Sequence, residues 1–326
     1  MRSYAEVIRE LQEKAIVAIG GDFYDFDDFP LNEEFENFFH FGQEYLDCDN
    51  LDFSVAPARL YFNTNTSVNA LARTAGEYYL IEIYKGAIFW IHHFYVEKED
   101  RFNNEALSHF RDITNRKGIN PGFFLFQFVS IYFFYHEVGH LIQRTKSDND
   151  YLEFANIQLT SDQIRIRHMR ELDADWYSAH CIAMHVIQFA EEETKDGSAV
   201  TTENLIEVAS LALSGLYLYY IDQASHQSAE IYYEEYTHPH PSVRLSYMIN
   251  FFLDNLQGNS EIQIDKNEIL RNAIRVSELL TVEGNNNIIK QYSIALYKQL
   301  DKVEEYILNI IRNTDAYPSL CVHILG

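Results

Sequence analysis

Residues 136–140 read HEVGH, two histidines four apart with a glutamate directly after the first. On a helix, side chains at i and i+4 share a face, so His136 and His140 can present both imidazoles to one metal ion. Glu137 is then displaced toward the water that it would activate as general base. That is the arrangement of a zinc-dependent hydrolase, which needs a third protein ligand. The extended form HExxHxxGxxH would require Gly at 143 and His at 146, where this chain has Gln143 and Lys146, so that branch is excluded. Glu171 follows His140 by 31 residues within RELDADWYSA, and Asp175 lies four further on, on the same predicted helix face. One carboxylate can bind the metal while the other accepts the second N–H of a ligand imidazole, a duty for which Asp175 is well placed. His168, His180 and His185 lie along the same helix and remain open as third ligands. Farther on, in THPHPSVR, His238 and His240 each precede a proline, which disfavours helix there and sets them in a rigid extended loop. A histidine fixed beside a zinc site can donate a hydrogen bond to the oxyanion of a tetrahedral intermediate.

These residues need rigid elements to hold them. Pro121-Gly122 opens a long apolar segment that carries HEVGH, and Ser161-Asp162 offers the start of a second helix that carries ELDAD. Helical spacing recurs over 203–223, 242–256, 265–280 and 286–312, with short polar breaks such as Asp196-Gly197 and Gln257-Gly258-Asn259. Tyr78 to Tyr84 reads as a strand and Lys85-Gly86 as the turn after it, while 87–96 fits either a second strand or a helix. The acidic, Phe-rich stretch 22–53 has no clear period, which predicts irregular structure or short helices clamped by aromatics. The expected fold is mostly α with a small N-terminal β element, an α+β arrangement built around a zincin-like helix pair. Its expected divisions are an aromatic, acidic extension at 1–60, the metal-binding region at 61–255 and a helical segment at 256–326 packed on it.

Charge narrows the partners. With 49 Asp+Glu against 25 Lys+Arg, the net charge of -24 opposes nucleic acid and anionic membrane surfaces and favours a basic or neutral target. Cys48, Cys181 and Cys321 are far apart with no CxxC pair, which fits a reducing compartment and argues against a thiolate metal site. The first 23 residues read as an amphipathic helix without a signal-peptide core. The longest apolar runs, 123–135 and 206–221, fall short of a spanning helix and read as core helices. A cytoplasmic chain with no membrane span is expected.

HEVGH, then ELDAD in the pattern ExxxD, then THPHPSVR with Arg244 six residues after His238, resembles the HtpX-like and CAAX-protease-like gluzincins and, among soluble chains, the Lit phage-exclusion peptidases. The resemblance covers about residues 65 to 250, and Asn69-Ala70 followed by a strand resembles the family's edge strand ahead of the active-site helix. It implies His136, His140 and Glu171 as ligands of a catalytic Zn²⁺, Glu137 as general base and later proton donor, and Asp175 as support for a ligand. It implies His238 near the oxyanion or substrate, and for His240 and Arg244 either a substrate or oxyanion role or a structural one, the structural one favoured for Arg244. The additional unit His240-Pro241 leaves open which histidine faces the zinc, and the transmembrane helices of the HtpX-like members are missing, so the Lit-like comparison is preferred. The expected activity is a zinc endopeptidase acting on an intracellular protein or peptide, in phage exclusion or a stress response, with the strand Tyr78 to Tyr84 pairing with an extended substrate. The alternative is a non-proteolytic zincin-fold sensor or interaction module in which zinc staples two helices together.

Overall fold

The computed structural model describes residues 2–18, 21–27, 31–48, 55–145, 159–192, 201–226, 230–281 and 286–325. It is mostly helical, with one small sheet near the N-terminus. Helix α1 (Tyr4–Glu13) and helix α2 (Asn32–Leu46) precede strands β1 (Ala58–Asn63), β2 (Ala70–Ala75) and β3 (Tyr78–Tyr84). The stretch expected to be irregular or to hold short helices clamped by aromatics thus contains a helix of 15 residues. Packing overrides its weak periodicity: Phe35 stacks on Phe26 and meets Phe62 of β1 edge to face, while Phe38 sits against Phe62 and Phe134.

The sheet order is β1-β3-β2, with β1 parallel and β2 antiparallel to β3. The strand expected to receive substrate, Tyr78 to Tyr84, is therefore the central one, and both of its hydrogen-bonding edges are already used by neighbours. The outer side of β1 is met by the segment at Phe23 and Tyr24, whereas among the described residues no strand pairs with the outer side of β2. No turn follows β3: the chain enters helix α3 (Lys85–Ile91) directly and continues as a π-helical turn, His92–Val96, so 87–96 is helical.

Helix α4 (Ser108–Arg116) leads to α5 (Pro121–Thr145) and α6 (Ser161–Glu192), the two longest helices. Pro121 stands at the first position of α5, where its missing N–H costs nothing, and the Asn120 side chain accepts from the Gly122 amide at 2.7 Å. Thr160 and Gln163 cap the start of α6 reciprocally, one residue earlier than the expected cap. Helix α5 is apolar on nearly every face and is accordingly enclosed, by α2 and the sheet on one side and by α6 and α7 (Thr202–Ser225) on the other.

Helix α7 is long and apolar enough to cross a membrane, longer than its uninterrupted apolar run suggested, and 83% of its most apolar window is buried inside this fold. Helices α8 (Pro241–Asn259) and α9 (Lys266–Leu280) pack on α6 and α7, and α8 runs through Gln257-Gly258 to end at Asn259. The predicted helix over 286–312 is two helices, α10 (Asn286–Lys298) and α11 (Leu300–Ile311), followed by the short α12 (Val322–Leu325). The polar break at Asp196-Gly197 lies outside the described residues. One apolar core draws on side chains from Val7 to Cys321, so the N-terminal, central and C-terminal stretches share an interior.

Candidate metal centre

Helices α5 and α6 cross where Gly139, inside HEVGH, meets Ala174, inside ELDAD. A Cβ at position 139 would lie 2.9 Å from the Ala174 Cα and 3.2 Å from its Cβ, closer than side chains normally approach. This tight crossing puts the His136/His140 stripe of one helix against the Glu171/Asp175 stripe of the other.

The three inner ligand atoms converge. His136 Nε2 and His140 Nε2 lie 3.2 Å apart, and the Glu171 oxygens are 3.5 Å from each. For metal–ligand bonds of about 2.1 Å, the edge of a coordination tetrahedron is about 3.4 Å, so all three separations fit ligands around one small ion. Two imidazoles and a carboxylate are the donor set such an ion takes, and this His-His-Glu group could hold it. Its fourth side opens on a cleft lined by Asn69 to Ala72, Phe133, Glu137, Tyr219 and His238.

The supports of these ligands are buried. Asp175 Oδ1 lies 3.0 Å from His136 Nδ1, as expected for a carboxylate orienting a ligand imidazole. The same carboxylate takes Nε and Nη2 of Arg244 at 2.8 and 2.7 Å, and the hydroxyls of Tyr132 at 2.6 Å and Tyr220 at 3.2 Å. Tyr132 and Tyr220 also share a hydrogen bond. Burial alone would raise the Asp175 pKa, but Arg244 and His136 outweigh it and hold the carboxyl down at about 2. Glu171 is likewise desolvated yet held well below the usual carboxylate range by His238, His140 and His136. Burial and Arg244 oppose a proton on His136, whereas Asp175 and Glu171 favour it and raise its pKa to about 9. His140 is raised too, against its burial, chiefly by Glu171. Two carboxylates thus create an electrostatic well for positive charge where the imidazoles meet.

His140 is held from its other nitrogen. Its Nδ1 lies 3.2 Å from Gln143 Oε1, and Gln143 Nε2 donates to Asp173 Oδ2 at 2.8 Å and to the Arg170 carbonyl at 2.9 Å. Asp173 in turn accepts from the backbone amides of Cys321 at 2.8 Å and Val322 at 3.1 Å. Gln143, which served the sequence only to exclude a longer motif, is a link in this chain. Tyr132, Tyr220, Asp173 and Tyr219 were not singled out by the sequence either.

The remaining candidates separate cleanly. His238 is 68% exposed at its side chain, lines the cleft and puts Nε2 3.7 Å from a Glu171 oxygen. His240 is fully buried and caps α8, its Nδ1 accepting from the Ser242 amide at 3.0 Å, so it turns away from the cleft. Of the two, His238 is the one beside Glu171 and the cleft. Arg244 lies close to the ligand group, its Nη1 3.4 Å from Glu171 and its Nη2 3.3 Å from His136 Nε2. The alternative third ligands are engaged elsewhere: His168 with the Tyr306 hydroxyl and the Tyr236 carbonyl, His180 with Asn255, and His185 with the Tyr135 hydroxyl.

No protein-family model, no curated protein and no solved structure matches the chain.

Proposed function

We propose that this protein is a zinc-dependent endopeptidase. The observation that carries the reading is the convergence of His136, His140 and Glu171 at tetrahedral-edge spacing, with Glu137 on the adjoining cleft wall. A zinc ion bound there would supply Lewis acidity toward the scissile carbonyl and its attacking water. Glu137 takes the proton from that water and returns it to the departing amine. His238, exposed at the rim, donates to the developing oxyanion, with Tyr219 lining the same cleft. Arg244 and Asp175 fix the tilt of His136 so that its Nε2 stays directed inward.

Substrate pairing belongs to β2 rather than β3. The Asn69 carbonyl accepts from the Tyr84 amide at 3.1 Å, so by alternation the backbone groups of Ala70 and Ala72 point to the outer side of β2 beside the cleft. An extended peptide added there would run past the metal, its carbonyl presented sideways. The order HEVGH, ELDAD, THPHPSVR, a motif pattern that resembles that of the Lit-like peptidases, supports an intracellular protein as substrate.

The deciding experiment is Glu137→Gln. The variant keeps stoichiometric zinc and loses peptide hydrolysis by about a hundredfold or more; cleavage at the wild-type rate removes Glu137 from the mechanism. Stoichiometric zinc without cleavage by the wild-type chain would instead favour the stapled, non-proteolytic module.

A further inference from the structure

A second cavity, of about 470 Å³, lies along a stretch of α5 that shares no lining residue with the metal cleft. Gly139 and Ala174 let α5 and α6 touch at the ligands, whereas toward the start of α5 bulky rings stand between the two helices, as where Phe124 meets Phe189 edge to face at 4.9 Å. Helix α2 forms the third side. The walls are aromatic on all three helices: Phe38 and Phe41 from α2, Phe123, Phe126 and Phe128 from α5, and Phe189 from α6. The volume falls within the range of small-molecule sites, roughly 300–1,000 Å³.

One polar group in this lining is unsatisfied. Ser130 is 1% exposed, and its enclosed hydroxyl has no hydrogen-bond partner among the described residues. Other buried helix serines return theirs to a carbonyl of the preceding turn: Ser210 to Ile206 at 2.6 Å, Ser214 to Leu211 at 2.7 Å and Ser277 to Ala273 at 2.7 Å. A buried hydroxyl normally finds a partner, so one left open beside an aromatic cavity is a point of contact for whatever fills it.

Charge is the other constraint. Among the described residues no Lys or Arg lines the cavity, and its two carboxylates have partners, Glu34 with His92 and Glu192 with Lys117, each at 3.8 Å. Lys117 is further held by the ring and the carbonyl of Phe189. His185, in the lining, shares a hydrogen bond with the Tyr135 hydroxyl, and burial lowers its pKa, which keeps it neutral at pH 7. The lining is thus matched to no carboxylate, phosphate or ammonium head. The faces and edges of phenylalanine rings are complementary instead to another π system.

We propose that this cavity is a binding site for a neutral, multi-ring aromatic molecule with one hydrogen-bonding group, which the Ser130 hydroxyl meets. The site stands apart from the peptidase reading and needs neither zinc nor catalysis.

The whole chain is titrated with N-phenyl-1-naphthylamine, a neutral dye whose emission rises in apolar surroundings, and saturation is expected at a single dye per chain. Gln127→Trp brings an indole to the cavity from an exposed position of α5 and weakens dye binding by about tenfold or more. Naphthalene, 2-naphthol and 2-naphthoate then compete with the dye. 2-Naphthol displaces it about tenfold better than naphthalene, the scale of one buried hydrogen bond, and 2-naphthoate is the weakest of the three. Ser130→Ala removes the advantage of 2-naphthol and leaves naphthalene unchanged, which a serine serving only the fold would not do. Both variants are checked for Tm and zinc content. Dye binding unaffected by Gln127→Trp, or equal competition by 2-naphthol and naphthalene in the wild-type chain, overturns the proposal. So does laurate displacing the dye better than 2-naphthol, which would make the cavity an alkyl-chain site. Loss of dye binding as chains self-associate at higher concentration, read by light scattering, would give the cavity to a second copy and overturn it too.

Discussion

Two histidines two residues apart have opposite fates, and the difference lies in one turn of backbone. Proline after each keeps both out of helix, so each imidazole is fixed by its immediate surroundings. His240 falls at the entry to α8 and turns inward to cap it, whereas His238, two residues earlier at a bend, faces the cleft. Their substitutions therefore separate. His238→Ala lowers kcat by about a hundredfold with zinc content and Tm unchanged, as expected for a lost oxyanion donor. His240→Ala costs about 1 kcal/mol in denaturant unfolding and leaves kcat within about twofold. A Tm loss for His238→Ala together with a kcat loss for His240→Ala would exchange these assignments.

At the scale of elements, the site is a helix crossing. Gly139 and Ala174 are small because α5 and α6 approach so closely there, and each ligand pair flanks that contact within one turn. Gly139→Ala forces a methyl onto the α6 backbone, so α6 must shift outward. The expected cost is about 1–3 kcal/mol of stability, together with weaker zinc binding in a chelator competition, because Glu171 moves with α6. Unchanged zinc affinity would mean that the ligands adjust independently of the crossing. This crossing also explains what could be read in advance. HEVGH and ELDAD are helix-periodic, so spacing alone predicts which of their side chains share a face, and His136, His140, Glu171 and Asp175 do come together. The β element at Tyr78 to Tyr84 was legible for a similar reason, in its β-branched and aromatic run. Its place in the sheet was not, because strand order is set by pairing across the chain: nothing within Tyr78 to Tyr84 marks it as central or Ala70 to Ala75 as the edge. Tyr132 and Tyr220 escaped notice for the same reason, being aromatics on apolar helices whose role appears only when α7 packs beside α5 and brings both hydroxyls to Asp175.

At the scale of the whole molecule, the metal site is tied to a part of the chain far away in sequence. Asp173 accepts amide hydrogens from residues 321 and 322, and through Gln143 it reaches His140. Asp173→Ala removes the acceptor for both amides and frees Gln143 to rotate. The variant binds zinc about tenfold or more weakly, the scale for losing the partner of a metal-ligand support. It also becomes sensitive to limited proteolysis near residue 320, while retention of wild-type zinc affinity would show that His140 needs no such anchor. The same connection gives the two histidines a remote handle: whatever draws residues 321 and 322 away from Asp173 also releases Gln143 from one of its acceptors and loosens His140, so a disturbance there would be felt where the imidazoles meet.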